Sequence, residues 1–338
     1  QLKRWGLLDE VLASGAPAIR DVIVHVDGER IERTIKNHAG VDLQVAPRRY
    51  VLDRILTDAA INAGAELRTG VRAHGVVRAD DGRIRGIVGT EDGRPFELRA
   101  RIVVGADGLR SRIARAVGAL TLDARPALGA THYAYYTGLA WSASEHYLGD
   151  RALSGIFPTH DGAACIWVCM PAHHAEAFRR TGITLDDSFD KMLVHAAPDL
   201  ASRLRAGHRT SAVRGALRLP NHVRHSAGPG WALVGDAGYH RDPITGHGIS
   251  DAFRDAELLA AAVHGALLGV VTEAVALAGY QATRDRMLAD IFDITCALSE
   301  FPRPERFLAL QRDLGRAIDT EAAALAERPD LAVRALAA

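Results

Sequence analysis

The chain has 338 residues, and its 41 Lys+Arg balance 41 Asp+Glu to give a formal net charge of zero. That balance argues against nucleic acid as a main partner, which would select a basic face. The length suits one large or two medium domains with a full core. No stretch approaches the ~20 uninterrupted apolar residues of a membrane span, and no basic-then-apolar leader is visible. Stable membrane insertion is therefore not expected, and a cytoplasmic setting is.

In chain order, residues 2–12 read as a short helix ending near Gly15, and residues 19–26 and 30–35 as strands joined by Asp27-Gly28, a hairpin signal. In residues 47–64, Val51, Leu52, Ile55, Leu56, Ala59, Ala60 and Ala63 recur on one helix face, with Gly64 as a stop. Short strands follow at 67–69, 71–77, 83–88 and 96–98, with Asp81-Gly82 and Asp92-Gly93 marking turns. An apolar strand at 101–106 ends in Asp107-Gly108, after which Leu109, Ile113 and Val117 take helical spacing.

Residues 120–218 change character. Tyr133, Tyr135, Tyr136, Trp141 and Tyr147 cluster there, strands are expected at 131–140, 153–158 and 163–170, and His160-Asp161-Gly162 reads as a turn. Helices are expected at 173–180 and 186–196, then a strand near 211–218. Aromatic side chains in such a region stack in a core or face a ligand, and core stacking is the more frequent use. Cys165 and Cys169 fall four apart on one face of a strand. With Cys296 they are too few for a disulfide framework, and no His or Cys pair completes a metal site, so they read as buried thiols in a reducing compartment.

The rest of the chain is organised around residues 231–264. Trp231 to Val234 is a short apolar run with the signature of a buried strand. Gly235-Asp236 places a carboxylate at its C-terminal edge. Pro243, Gly246 and Gly248 then form a loop that opens into a helix, whose expected apolar face is Ile249, Ala252, Phe253, Ala256, Leu259, Ala260 and Val263. In an open α/β sheet, ligands sit beyond the carboxyl ends of the strands. A helix start offers unpaired N–H groups to an electron-rich atom. The same pattern also suits an ordinary strand–turn–helix corner. Beyond it, residues 272–298 and 305–327 read as helices separated by Pro302 and Pro304. They cover the preceding domain or form a subunit contact, as in a homodimer.

Gly235-Asp236-Ala237, Pro243, Gly246-x-Gly248 and the helix from Asp251-Ala252 to Asp255-Ala256 resemble the second FAD-binding motif of class A flavoprotein monooxygenases, the para-hydroxybenzoate hydroxylase family. Residues 103–115, Val-Val-Gly-Ala-Asp-Gly-Leu-Arg-Ser-Arg-Ile-Ala-Arg, resemble the family's Asp-Gly motif. The resemblance implies an α/β fold, with a doubly wound, Rossmann-like FAD-binding domain from residues 1–18, 46–120 and 219–300. It implies an inserted antiparallel-sheet substrate domain from 19–45 and 121–218, and C-terminal helices over 301–338. It further implies FAD as cofactor, NAD(P)H as co-substrate and a small organic substrate that is hydroxylated or epoxidised. The cofactor contacts it implies are Arg49 (with Arg48 as fallback) and Asp107-Gly108 near the pyrophosphate and ribityl chain. Gly235, Asp236, Pro243, Gly246, His247 and Gly248 would shape the ring end. His240 flanks the same loop. The flavin carries the chemistry, so no catalytic side chain is assigned.

One part of the family pattern is missing. No Gly-x-Gly-x-x-Gly occurs: Gly246-x-Gly248 is followed by Asp251 and belongs to the other motif. The chain therefore reads as starting inside the fold, short of the roughly 30 or more residues of one βαβ unit, and as a poor FAD binder by itself. The halogenase Trp-x-Trp-x-Ile-Pro signature is also absent, since Ile166-Trp167-Val168 does not match it. A geranylgeranyl-type flavin reductase and an inactive partial flavoprotein are the alternatives.

Overall fold

The computed structural model describes residues 1–182 and 184–328; residues 329–338, the end of the expected C-terminal helical stretch, lie outside them. The first helix, α1 (Leu8–Ala13), is shorter than the sequence pattern predicts. Gly6 takes φ +74°, a conformation no helix continues through, so the residues before it turn instead. β1 (Asp21–Val26) and β2 (Glu29–Thr34) pair antiparallel across Asp27-Gly28. Both turn residues have positive φ, the hairpin geometry that Asp-Gly favours. α2 (Arg49–Asn62) buries Leu52 and Ile55 and ends just before Gly64, as expected.

β3 (Val71–Arg78), β4 (Ile84–Glu91) and β5 (Arg94–Arg99) form an antiparallel meander. The strand expected at 67–69 does not form; Arg68 instead reaches across to Glu91 with two hydrogen bonds of 3.0 and 2.6 Å. Next come β6 (Val103–Gly105), α3 (Arg112–Val117) and β7 (Thr121–Arg125). β8 (Gly129–Thr137), β9 (Ser144–Gly149), β10 (Ala152–Pro158) and β11 (Ala164–Pro171) lead into α4 (Ala172–Thr181), α5 (Leu185–Ala196) and α6 (Pro198–Leu204). The last third holds β12 (His208–Arg209), β13 (Arg214–Leu217), β14 (Asn221–Arg224), β15 (Ala227–Gly228), β16 (Trp231–Leu233), β17 (Tyr239–His240), α7 (Gly248–Leu267), α8 (Glu273–Leu298) and α9 (Pro304–Ala326).

The chain divides into two compact units. The first takes Gln1–Ala65, Ala127–Leu219 and the chain from Ala297 on. Its sheet has the order β12-β8-β11-β10-β9-β1-β2, with β13 also on β8. Every pairing in it is antiparallel except β1 with β9. One face carries Ile156, Ile166, Val168 and Met170, which pack on Phe189, Met192 and Leu193 of α5 and Leu200 of α6. α5 is started by a capping box: Thr184 accepts from the Asp187 N–H at 3.0 Å and Asp187 accepts from the Thr184 N–H at 3.0 Å. Cys165 and Cys169 do share one face of β11, opposite Tyr135 and Thr131, and both are free thiols. Burial pushes the Cys165 thiol up to about 12.

The second unit takes Glu66–Pro126 and Pro220–Cys296. At its centre β16 runs parallel to β6, with β15 antiparallel on the other side of β16. Side chains alternate across β16. Trp231 and Leu233 join Ile84, Val103, Ile113 and Val117 on one face. Ala232 packs with Leu258 and Leu259 of α7 and Leu277 and Tyr280 of α8 on the other. A parallel pair covered on both faces is the α/β arrangement the sequence predicts. Among the described residues no helix is long and apolar enough to cross a membrane.

Phe189 is fully buried in the first unit's core. Phe189→Ala should lower unfolding stability by about 3–5 kcal/mol, measured as a fall in the urea midpoint with an unchanged slope.

Candidate functional site

The two motifs meet at the ends of the parallel pair. Gly105 of β6 lies beside Leu233 of β16, and the Val234 N–H donates to the Gly105 carbonyl at 3.0 Å. Asp107 and Asp236 thus leave the carboxyl ends of neighbouring parallel strands, where ligands of open α/β sheets bind.

Each acidic residue is held by its own turn. Asp107 caps α3: its Oδ2 accepts from the Arg112 and Ile113 N–H groups at 2.6 and 3.1 Å. Its Oδ1 accepts from the Ser111 hydroxyl at 2.5 Å, and the Ser111 oxygen accepts from the Ala114 N–H at 2.8 Å. The Asp-Gly-x-x-Ser spacing is therefore a helix N-terminus in which the carboxylate offsets the orphan donors and the dipole. Gly108 follows at φ +75° with open space where a Cβ would stand. Asp236 lies in a single 3-10 turn, Gly235–Ala237, and is half-buried. Arg224 donates to the Ala237 carbonyl at 2.7 Å. Burial, with Arg115 nearby, lowers its pKa, and Asp107 opposes that shift. Arg224 thus brings both turns into one electrostatic neighbourhood.

The loop after β16 is built on a buried charge network. Gly235 takes φ +54°, its N–H donates to Asp255 Oδ2 at 3.0 Å, and a Cβ there would meet the Ala252 Cβ at 3.2 Å. Asp255 Oδ1 accepts from Arg254 at 3.0 and 2.8 Å. Arg254 also donates to Asp251 Oδ1 at 2.9 Å, while Asp251 Oδ2 accepts from Arg241 at 3.0 Å. Arg241 reaches the hydroxyls of Thr245 and Thr295 at 2.6 and 2.8 Å. All four charged residues are 6 % exposed or less. Two arginines against two aspartates leave no net charge, and their donors and acceptors are paired, the condition under which buried ions are tolerated.

This network corrects the expected face of α7. Its buried residues are Asp251, Arg254, Asp255, Leu258 and Leu259, whereas Ile249, Ala256 and Ala260 are exposed. The first two turns of the helix are seated by ion pairs, and apolar burial takes over only at Leu258. Arg241 and Arg254 are the residues that sequence periodicity missed; Arg254 stands one helical turn after Asp251, a spacing visible in the sequence, whereas Arg241 reaches Asp251 from the loop before α7.

The loop itself is stiff and open. Asp242 accepts from the Ile244 N–H at 3.0 Å, its own N–H donates to Asn221 at 2.6 Å, and Pro243 starts a 3-10 turn. Burial pushes the Asp242 carboxyl up from its usual range. Gly246 closes that turn at φ +69° with nothing near its missing Cβ. Gly248 begins α7 in an ordinary helical conformation, again with nothing within 4 Å of a built Cβ. Neither the backbone nor internal packing requires glycine at 248, and in a helix it costs about 0.5–1 kcal/mol relative to alanine. No side chain caps α7, so its first-turn N–H groups face outward at the positive end of a 20-residue helix. Burial lowers the His247 pKa. Its Nδ1 lies 2.5 Å from the Thr245 carbonyl, so the neutral ring carries its proton there and presents Nε2 as an acceptor. His240 Nδ1 stands likewise against the Pro220 carbonyl at 2.5 Å.

Arg49 belongs to the first unit. It is exposed and pairs with Asp53 one turn on, at 2.9 and 3.1 Å. Arg48 precedes α2; its guanidinium lies 3.6 Å over the Tyr135 ring and its N–H donates to His160 Nδ1 at 3.2 Å.

A glycine-lined helix start beside two acidic strand-end turns fits a large planar or dinucleotide-type cofactor: a Cβ at Gly246 or Gly248 would occupy space the protein leaves open. This is a flavoprotein-type α/β fold, and comparison with known proteins agrees. The sequence model of the FAD binding domain family matches residues 1–295, and the chain belongs to that family, which makes it an FAD-dependent, monooxygenase-family oxidoreductase. It is 25% identical to PqsL, a probable FAD-dependent monooxygenase from Pseudomonas aeruginosa. The likeness covers 92% of this chain and 86% of that one, with a TM-score of 0.78. A digeranylgeranylglycerophospholipid reductase of Methanocella arvoryzae is 26% identical over 280 residues, 81% of this chain and 68% of that protein. Its Methanosarcina mazei counterpart is 29% identical over 248 residues, 71% and 58% respectively.

Two measurements follow from this geometry. Asp255→Asn leaves Arg254 short of a buried anion and should cost about 3–5 kcal/mol of stability, while pairing it with Arg254→Leu should recover part of that loss in a chemical-denaturation cycle. His222, next to His240 on β14, is held by burial at a pKa of about 4, below its ordinary 6.5. A base depressed on folding contributes stability that is complete above the unfolded value and is lost as pH falls from about 6.5 towards 4. Melting temperatures across that window should fall less steeply for His222→Gln than for the wild type.

Proposed function

We propose that this chain is the body of an FAD-dependent monooxygenase that uses NAD(P)H and O2 to hydroxylate or epoxidise a small organic substrate. The observation that carries this reading is the likeness to PqsL, which spans most of both chains. In this reading Gly235, Asp236, Pro243, Gly246, His247 and Gly248 hold the ring end of FAD, Asp107 and Gly108 stand by the ribityl side, and Arg49 serves the pyrophosphate. FAD, when bound, supplies the redox chemistry. The protein's own part is to hold it against rigid backbone, to offer the α7 N–H groups to its electron-rich edge and to keep His247 neutral. The paired charges of the Arg241–Asp255 network tie the loop to α7 and α8.

The substrate surface in this reading is the face of the first unit's sheet opposite its helices, where Tyr133, Tyr135, His146 and Phe157 are half-buried and Trp167 is buried. Tyr133 and Tyr135 meet there edge to face at 6.0 Å, and Phe157 stacks on Trp167 at 5.3 Å with His146 beside both. Three cysteines outside any disulfide support a reducing, cytoplasmic setting.

The 26–29% identity to two archaeal lipid reductases supports a second reading, a flavin-dependent reductase of the geranylgeranyl type. The chain spans 58–68% of the length of those relatives. Oxygen electrodes separate the two. With FAD, NAD(P)H and a substrate, a monooxygenase consumes O2 in proportion to product; turnover without O2 uptake selects the reductase. Asp236→Ala should lower FAD retention after desalting by about tenfold or more, the loss of one hydrogen-bonded charge; unchanged retention would remove Asp236 from the site.

A further inference from the structure

The second unit carries an apolar tip that the flavin reading does not use. α7 ends at Leu267 and α8 begins at Glu273. Leu268 is 65%, Val270 74% and Val275 63% exposed, and Leu267 and Val271 are 41% exposed each. From Gly265 to Thr272 the sequence has no charged residue. The turn is nonetheless well tied. The Leu268 N–H donates to the His264 carbonyl at 3.1 Å, Gly269 to Ala266 at 3.1 Å and Val270 to Gly265 at 3.0 Å. The Glu273 carboxylate then anchors the start of α8 by accepting from Arg83 at 2.8 Å and from the Gly230 N–H at 2.8 Å. The apolar side chains are thus displayed on a fixed turn.

The charges beside the turn are of both signs: Glu273 and Asp81 act on Arg83, with Arg85 and Arg101 next to them. Arg83 neutralises Glu273 and donates to the Arg101 carbonyl at 2.9 Å. Arg85 acts electrostatically on the same Glu273. Arg85 and Arg101 are both exposed and, among the described residues, neither makes an ion pair.

We infer that this α7–α8 turn docks the protein on an anionic lipid surface, with Leu267, Leu268, Val270 and Val271 entering the interface and Arg85 and Arg101 meeting headgroup phosphates. One observation favours this occupant: beside the apolar turn stand two exposed arginines, Arg85 and Arg101, with no ion pair among the described residues, the combination of apolar and cationic groups that a shallow insertion into an anionic surface uses. The exposed apolar side chains form a patch of roughly 400 Å², a size common to functional patches.

The test uses the whole chain and vesicles of phosphatidylcholine with and without phosphatidylglycerol, in a sedimentation assay. The wild type should bind the anionic vesicles and lose binding as salt is raised. Leu268→Gln with Val270→Gln should lower the partition coefficient by about tenfold or more, and Arg85→Gln with Arg101→Gln by about tenfold. Both pairs of sites are exposed, so melting curves should match the wild type. As a second readout, Leu268→Trp should gain a tryptophan component that brominated lipids quench. No wild-type binding to anionic vesicles, or binding untouched by both double variants, overturns the inference. So does a concentration-dependent dimer in light scattering that Leu268→Gln with Val270→Gln abolishes, since that would make a second copy the occupant.

Discussion

The geometry of the candidate site depends on one buried arrangement of charge. Asp255 accepts the Gly235 N–H with one oxygen and the Arg254 guanidinium with the other. That ties the end of β16 to α7 at the point where the chain must turn. Asp251 and Arg241 extend the tie to Thr245 and Thr295, at the far side of the loop and on α8. Buried ions contribute little net stability compared with a well-packed apolar cluster, but removing one partner is costly. Such a network fixes position rather than adding strength. Here it fixes the two glycines that face outward at 246 and 248.

Much of the frame was legible in the sequence because it is local. Asp27-Gly28 and Asp92-Gly93 are hairpin turns since only positive φ closes them tightly, and each does. Trp231 to Val234 read as a buried strand because burial on both faces needs an apolar run, and β16 is covered on both faces. What sequence reading lost was polar burial. β9 contains Glu145 and His146 and is not among the strands expected from the sequence, yet Glu145 is 5% exposed. Burial opposes its ionisation, but Arg203 at 2.7 Å, Tyr147 at 2.7 Å and His25 at 3.2 Å outweigh that and hold its pKa below the usual range. The face of α7 was misjudged for the same reason: a residue's partners, distant in sequence, decide whether its charge can be buried.

The candidate site was legible as a pattern and not as a set of roles. The sequence put Gly-Ala-Asp-Gly and Gly-Asp-Ala each at the end of an apolar strand; those strands are β6 and β16, which the structure pairs in parallel. Asp107 was expected to serve a ligand, while its two oxygens already hold three donors of α3 and Ser111. Its direct work in the fold is to start that helix and so to aim the turn; any cofactor contact would be added to that.

Gly248 bears most directly on the central claim, because nothing inside the protein asks for glycine there. Isothermal titration of FAD into the wild type and Gly248→Ala, together with the melting temperature of each apo-protein, isolates the effect. If the loop is the flavin cradle, Gly248→Ala should weaken FAD binding by about tenfold or more. The same change should leave apo-stability equal or raised by up to about 1 kcal/mol, since alanine is the better helix former. Equal FAD affinity in the two proteins would contradict the account.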